Sequence, residues 1–227
     1  MKDINKLNII NRKETIRYLG YKKGEPDEIM LHEIELCEQE FLKVVEPKYH
    51  YQIFDLLWEG DRLMHSDGSF EFPGMAIKKH LKGSSRVAFS AATLSSGVDE
   101  LIDKAQREDM LMALIYDAIA NASIEEVRAL SEQEIAKTNE DYDINWQFGI
   151  GYGDLPLNLQ PQFLAKIDAK ETIGLTVNER NLLIPLKSVT GFVGLTRKDG
   201  SSEQIASKQQ GCLLCPSKDS CMYQKTE

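Results

Sequence analysis

The sequence predicts a domain that mixes α-helices with β-strands, and three observations carry that expectation. Apolar residues recur at spacings of three and four in a segment opening at Asp27 and in a longer one opening near Val98, which is the period of a helix with one covered face. The turn-forming run His65-Ser66-Asp67-Gly68-Ser69 separates two short strand-like segments, as in a hairpin. Arg86 to Leu94 (RVAFSAATL) is almost continuously apolar or small, the composition of a strand buried on both faces. With 227 residues, 42% of them apolar and 28% charged, the chain can bury about 70% of its unfolded surface without disulfide staples.

Taken in order, NRKETIRYLG sets Ile16 and Leu19 on one face and stops at Gly20, so a short helix with a left-handed cap is expected from Asn11 to Gly20. Asp27 is expected to N-cap a helix in which Met30, Ile34, Cys37, Phe41, Val44 and Val45 form the covered stripe, ending at Pro47. Cys37 on that stripe reads as a small core residue. Tyr49 to Trp58 and Asp61 to His65 read as strands, followed by the turn into Phe70-Glu71-Phe72. Met75 to Leu81 is a short amphipathic helix stopped at Gly83, and the apolar strand follows. From Val98 to about Asn139 the helical period persists. Asn121-Ala122-Ser123 with Glu126 is a capping-box signature, so one long helix or two abutting there are expected. Met110, Met112, Tyr116 and Ile119 read as core packing over the buried strand. From Trp146 to Leu195 short apolar runs alternate with glycine-bearing turns.

The charge balance narrows the function. Twenty-seven Lys and Arg stand against 36 Asp and Glu, a net charge of −9, and no clustered basic face offers itself to a phosphate backbone. No nucleic-acid partner is expected. No apolar stretch reaches membrane-spanning length and the N-terminus lacks a signal-peptide pattern, so neither a membrane nor export is expected and the localisation reads as cytoplasmic. Nucleotide-binding glycine motifs, H-E-x-x-H and the G-x-S-x-G elbow are absent.

Two segments do carry chemistry. In Gly149-Ile150-Gly151-Tyr152-Gly153-Asp154-Leu155-Pro156, glycines on both sides of Tyr152 permit a sharp turn and close ligand approach. Asp154 is positioned to N-cap a helix from Leu155 to Ile167, with Pro156 in its first turn. The alternative is a structural turn around a buried tyrosine. In Ile173-Gly174-Leu175-Thr176-Val177-Asn178-Glu179-Arg180-Asn181-Leu182-Leu183-Ile184-Pro185, a strand, a polar turn and a second strand place Glu179 at the turn, either solvated or facing the amine of a small ligand.

The blocks GYGDLPLNLQ, IGLTVNERNLLIP and KSVTGFVGL, in this order, resemble the activation domain of cobalamin-dependent methionine synthase, the module that binds S-adenosylmethionine, and most of all its stand-alone form. That family's pattern is approximately R-F-S-P-G-Y-G-D-x-P-L, then L-T-E-S-x-x-M-x-P, then K-S-V-S-G, with a short cysteine cluster at the end. The likeness extends through the N-terminal half and implies an α+β fold, a central twisted antiparallel sheet flanked by helices, over residues 1–195. Residues 196–227 then form a polar connector and Cys-rich tail. It also implies a role: S-adenosylmethionine-dependent reductive reactivation of the cobalamin of methionine synthase, acting in trans, with flavodoxin or ferredoxin as electron donor. A partner other than methionine synthase, another corrinoid protein that this chain activates or caps, stays open.

Matched by position, Tyr152 is the catalytic candidate and Gly151 approaches the methionine part of the ligand. Glu179 falls on a glutamate that would receive the ligand's amino group, and Glu125 on the long helix matches a second. The family arginine is Gln147 here, which removes a bidentate, charge-assisted grip on the ligand carboxylate. Asn178 and Arg180 replace the threonine and serine beside Glu179, and Arg180 either restores a cation or pairs with Glu179. Cys212, Cys215 and Cys221 offer three soft ligands for zinc or an iron–sulfur cluster, a fourth being absent nearby, or remain thiols.

Overall fold

The computed structural model describes residues 4–21 and 24–199. Its first helices follow the sequence signals closely. Helix α1 (Arg12–Tyr18) is capped by Asn11, whose side chain accepts from Glu14 N, and Gly20 takes φ +94° just past its end. Helix α2 (Glu28–Val44) starts at Asp27, whose carboxylate accepts from Met30 N, and it buries Ile34, Cys37 and Phe41. Cys37 is a core thiol: burial pushes its pKa up to about 11, against the opposing effect of its hydrogen bond with Tyr116.

Strand β1 (Lys48–Glu59) turns through Gly60 into β2 (Arg62–His65). The expected hairpin beyond His65 is present as a short return, with His65 N donating to Phe70 O and Phe72 N to Leu63 O. After helix α3 (Met75–His80), strand β3 (Arg86–Thr93) is buried along all but its first residue. Helices α4 (Ser96–Glu108) and α5 (Met110–Thr138) follow. Strands β4 (Tyr142–Ile144) and β5 (Phe148–Gly149), helices α6 (Gln160–Lys166) and α7 (Ala169–Ile173), the hairpin β6 (Thr176–Val177) and β7 (Leu183–Ile184), and strand β8 (Ser188–Arg197) complete the described chain.

The main sheet runs β2-β1-β3-β8-β4, with β5 also on β8, and every pairing in it is antiparallel. This is the α+β arrangement of an antiparallel sheet between helices. β3 lies in its middle, Arg86 opposite Leu195 and Thr93 opposite Ser188 on β8, and its alternate side chains serve two cores. Phe89 joins an aromatic cluster on one face, stacked on Phe163 at 5.1 Å and edge-on to Phe192, Phe70 and Phe54. Ser90 points the other way, where its hydroxyl meets that of Ser131 on α5 at 2.9 Å. Two buried hydroxyls that satisfy each other keep α5 in register on the sheet without leaving an orphan polar group.

Three expectations are corrected. The long helical stretch breaks at Asp109, not at Ser123. Asp109 is extended (φ −153°, ψ 105°), and its carboxylate accepts from Leu111 N and Met112 N. Ser123 is buried in the middle of α5: a capping box needs a chain entering from outside the helix, and here burial against the sheet keeps the helix running. Met110, expected in the core, is exposed, whereas Tyr116 and Ile119 are buried. Ile173 ends α7, with Gly174 as its left-handed cap, instead of starting a strand. Strand β8 also extends to Arg197, opposite Tyr142. The connector and the cysteines beyond residue 199 lie outside the described residues.

Candidate functional site

The Gly149–Pro156 segment is a tight loop leaving the sheet. Gly149 pairs with Gly191 on β8. A Cβ on Gly191 would lie 2.5 Å from Phe148 O and 2.7 Å from Gln147 Cγ, so only glycine lets the loop's root sit on the strand. Gly151 takes φ +93°, and a Cβ there would also meet Leu157 Cδ2 at 2.9 Å. The turn is closed by Tyr152 N donating to Gly149 O (3.1 Å) and Gly151 N donating to Leu155 O (3.0 Å). This geometry presents Tyr152 to solvent: the residue is 57% exposed, and its ring lies 3.1 Å from the position a Gly149 Cβ would take, closer than ordinary van der Waals contact. The buried-tyrosine alternative does not describe it.

Asp154 does not cap its own helix. Its carboxylate accepts from Met75 N (2.6 Å) and Ala76 N (3.0 Å) at the start of α3. Those two donors hold its pKa below the usual carboxylate range. Downstream of Asp154 the chain makes a 3-10 turn at Leu157–Leu159 before α6 begins at Gln160. Met75, Leu157 and Tyr152 are exposed apolar side chains around this loop.

Helix α5 supplies the polar wall. Arg128 donates from Nε (3.1 Å) and Nη2 (2.9 Å) to Glu125 Oε2, and from Nη1 (2.5 Å) to Glu132 Oε1. Residues three and four apart on a helix share a face, so the three line up by spacing alone. Burial opposes the charge of Arg128, but Glu125 and Glu132, with a further contribution from nearby Tyr152, keep its pKa raised. Glu132 Oε1 also accepts from the backbone N–H of Gln147 (2.9 Å). Gln147 is 6% exposed, and its Oε1 meets no donor among the described residues.

Beside this cluster opens a groove of 390 Å³, lined by Tyr18, Asn121, Ile124, Glu125 and the segment Leu186 to Val189. That size falls within the range of small-molecule sites. Asp99 on α4 holds the segment in place, accepting from Leu186 N (2.6 Å) and Lys187 N (3.3 Å). Lys187 Nζ is tied to Asp117 Oδ1 (2.6 Å) and Asn121 Oδ1 (2.8 Å). Val189 lines the groove and Gly191, two residues on, carries the root of the Tyr152 loop.

The structure therefore brings Gly151, Tyr152, Gln147 and Glu125 into one neighbourhood through Arg128, Glu132 and β8. Glu179 and Arg180 sit apart from that cluster's bonds, at the exposed tip of the β6–β7 hairpin. They form no ion pair with each other among the described residues. Asn178 builds the tip, its Oδ1 accepting from Arg180 N (2.9 Å) and Leu182 N (3.0 Å). Sequence reasoning missed Arg128, Glu132 and Lys187. The spacing E-x-x-R-x-x-x-E in α5 was a legible signal for the first two; Lys187 opens the KSVTGFVGL block, but nothing in that block shows that its ammonium is tied to Asp117 and Asn121 beside the groove. Cys212, Cys215 and Cys221 lie outside the described residues, and among the described residues no group of His, Cys, Asp or Glu is arranged to hold a metal.

No family model and no curated protein matches the sequence. Among thirteen solved chains that match the structure is one described as the MetH reactivation domain bound to AdoHcy, with a TM-score of 0.59 and 14% identity over 85% of this chain and 76% of that one. At that identity the likeness establishes the fold: an α+β domain of the reactivation-domain type. No described helix is long and apolar enough to cross a membrane.

Proposed function

We propose that the chain binds S-adenosylmethionine in the groove beside α5 and serves, in trans, the reductive reactivation of the cobalamin of methionine synthase. The observation that carries this reading is the convergence of a solvent-facing Tyr152, the Glu125–Arg128–Glu132 row and a 390 Å³ groove, in a fold shared with a reactivation domain that binds AdoHcy. When bound, the sulfonium supplies the methyl group, and the partner's corrin cobalt, reduced by one electron from a flavodoxin or ferredoxin, supplies the nucleophile.

On this reading the protein's part is placement. Gly151, at φ +93°, would let backbone approach the methionine portion of the ligand; Glu125, which lines the groove, would receive its amino group; and exposed Tyr152 would help position the methyl group for transfer. Holding two reactants in line is worth several kcal/mol of barrier. Glu179 and Arg180, on their exposed hairpin, do not line the groove and would contact only a part of the ligand that extends beyond it. The tail cysteines Cys212, Cys215 and Cys221 would hold zinc or an iron–sulfur cluster. The test is reconstitution of a cob(II)alamin-loaded methionine synthase lacking its own reactivation domain with this chain, reduced flavodoxin and S-adenosylmethionine labelled in the methyl group. Transfer of label to cobalamin is expected, and its absence would remove the assignment.

A second reading, activation or capping of another corrinoid protein without S-adenosylmethionine, is favoured by one observation: neutral Gln147 stands where the resembling family has arginine.

A further inference from the structure

We infer that Asp99, on α4, is a positioning residue of the groove: its carboxylate fixes the backbone of Leu186 and Lys187, and with it the wall against which the ligand packs. The inference rests on the S-adenosylmethionine reading and deepens it, naming a residue on which the affinity of that site depends without touching the ligand.

It follows from the way the β3–β8 ladder ends. The last pair within the two strands sets Thr93 opposite Ser188. One step further Leu94 N donates to Lys187 O (3.0 Å), and in an antiparallel pair of this kind the second residue's N–H ordinarily returns a bond to the first one's carbonyl. Here Leu94 O is already taken, by Glu46 N (3.2 Å) and by the hydroxyl of Ser95. The N–H of Lys187 turns instead to Asp99 Oδ1 (3.3 Å), and that of Leu186 to Asp99 Oδ2 (2.6 Å). Pro185, before them, has no N–H to offer. One carboxylate, 87 residues upstream of Leu186, thus stands in for the missing strand partner.

What it holds is the groove. Leu186 and Lys187 line it together with Ser188 and Val189, and Asn121, Ile124 and Glu125 of α5 line it as well. The Lys187 ammonium attaches the segment to α5 through Asp117 and Asn121; the two bonds to Asp99 fix how its backbone faces. Without them the ammonium stays anchored while the backbone of residues 186 and 187 is free to turn. The groove then loses its shape, whereas the sheet and the Tyr152 loop keep theirs. A ligand that must order a loose wall binds less tightly, but once bound it meets the same reacting geometry.

The experiment compares the full chain with Asp99→Ala and Asp99→Asn. Amide hydrogen exchange of the ligand-free proteins reads the two N–H groups directly, and Leu186 and Lys187 should exchange faster in Asp99→Ala while the β3–β8 amides stay protected. Calorimetric titration should show roughly tenfold weaker binding of S-adenosylmethionine to Asp99→Ala. Asp99→Asn, whose amide oxygen still accepts one N–H, should fall between. With the cob(II)alamin-loaded partner, the KM for S-adenosylmethionine should rise by the same factor and the rate at saturation should stay that of wild type, a split that mere loss of folded protein does not produce. Unchanged affinity and KM in Asp99→Ala, or a lower saturated rate at unchanged KM, would overturn the positioning role and leave the binding assignment standing. Failure of wild type itself to bind S-adenosylmethionine would remove both.

Discussion

The carboxylate of Asp154 caps a helix that begins at Met75, 79 residues earlier in the chain. That pair of backbone hydrogen bonds, to Met75 N and Ala76 N, ties the Tyr152 loop to α3 and leaves the loop little freedom to relax. A Cβ on Gly74, the residue before α3, would come within 2.7 Å of the same carboxylate, so the approach is as close as glycine allows. The loop is a rigid mount, and the predictions for its residues rest on that.

Tyr152→Phe should fold like wild type and reactivate cobalamin poorly. The substitution removes only the phenolic oxygen of an exposed side chain, leaving the ring near Gly149 and its edge contact with Phe148 at 5.9 Å. Thermal unfolding and the methyl-transfer assay measured on one preparation separate the two effects; an unchanged transfer rate would make the tyrosine structural.

Gly151→Ala should lose both stability and ligand binding. The position needs φ +93°, and the added methyl meets Leu157 Cδ2 at 2.9 Å, so a penalty of about 1 kcal/mol or more is expected from the backbone conformation alone. Pairing it with Leu157→Ala relieves the contact but not the dihedral. Partial recovery of the unfolding midpoint in the double variant is the expected result.

Gln147→Arg should create the carboxylate grip that the wild type lacks. A charge-assisted hydrogen bond of about 1.5–3 kcal/mol corresponds to roughly ten- to a hundredfold in affinity. S-adenosylmethionine should gain by that factor and its decarboxylated analogue should not. Equal gains for both would mean that the new arginine acts without touching a carboxylate.

Acid should destabilise the protein through His80. Burial pushes its pKa down from 6.5 to about 4, only partly offset by Trp146 and Asn145. A depressed folded-state pKa means that the unfolded chain binds the proton first. The contribution is therefore complete above pH 6.5, shrinks as pH falls below it, and is gone once pH passes 4. The lost stability is on the order of 3 kcal/mol. Denaturant titrations at pH 7, 5.5 and 4 should give wild type a steeper loss than His80→Leu; parallel profiles would count against it.

A chain ending at residue 199 should keep the fold, because Lys198 N donating to Asp141 O closes the last strand. Full-length protein purified without oxygen and assayed for iron, sulfide and zinc tests Cys212, Cys215 and Cys221 as ligands. Metal present in the full chain and absent from the shortened one is the expected outcome.

Local signals were legible wherever a short stretch of chain settles its own conformation. Asn11 and Asp27 cap the helices their positions predict, Cys37 is a core thiol, and β3 is buried on both faces. The Gly-Tyr-Gly turn, with its positive dihedrals, was likewise readable, because glycine placement depends on backbone sterics of the residue itself. What the tertiary structure decided are choices between partners. Asp154 sits in a sequence suited to capping the next helix and caps a distant one. Ser123 carries a capping signature and is overruled by burial against the sheet. The long helix breaks instead at Asp109, where the carboxylate finds two backbone donors. The pairing of charges beside the groove belongs to the same class: each charged residue was visible in the sequence, but that Lys187 meets Asp117 depends on how α5 docks against the segment leading into β8. A carboxylate's partner is set by distances of a few ångströms between segments far apart in the chain, and only the folded packing fixes those.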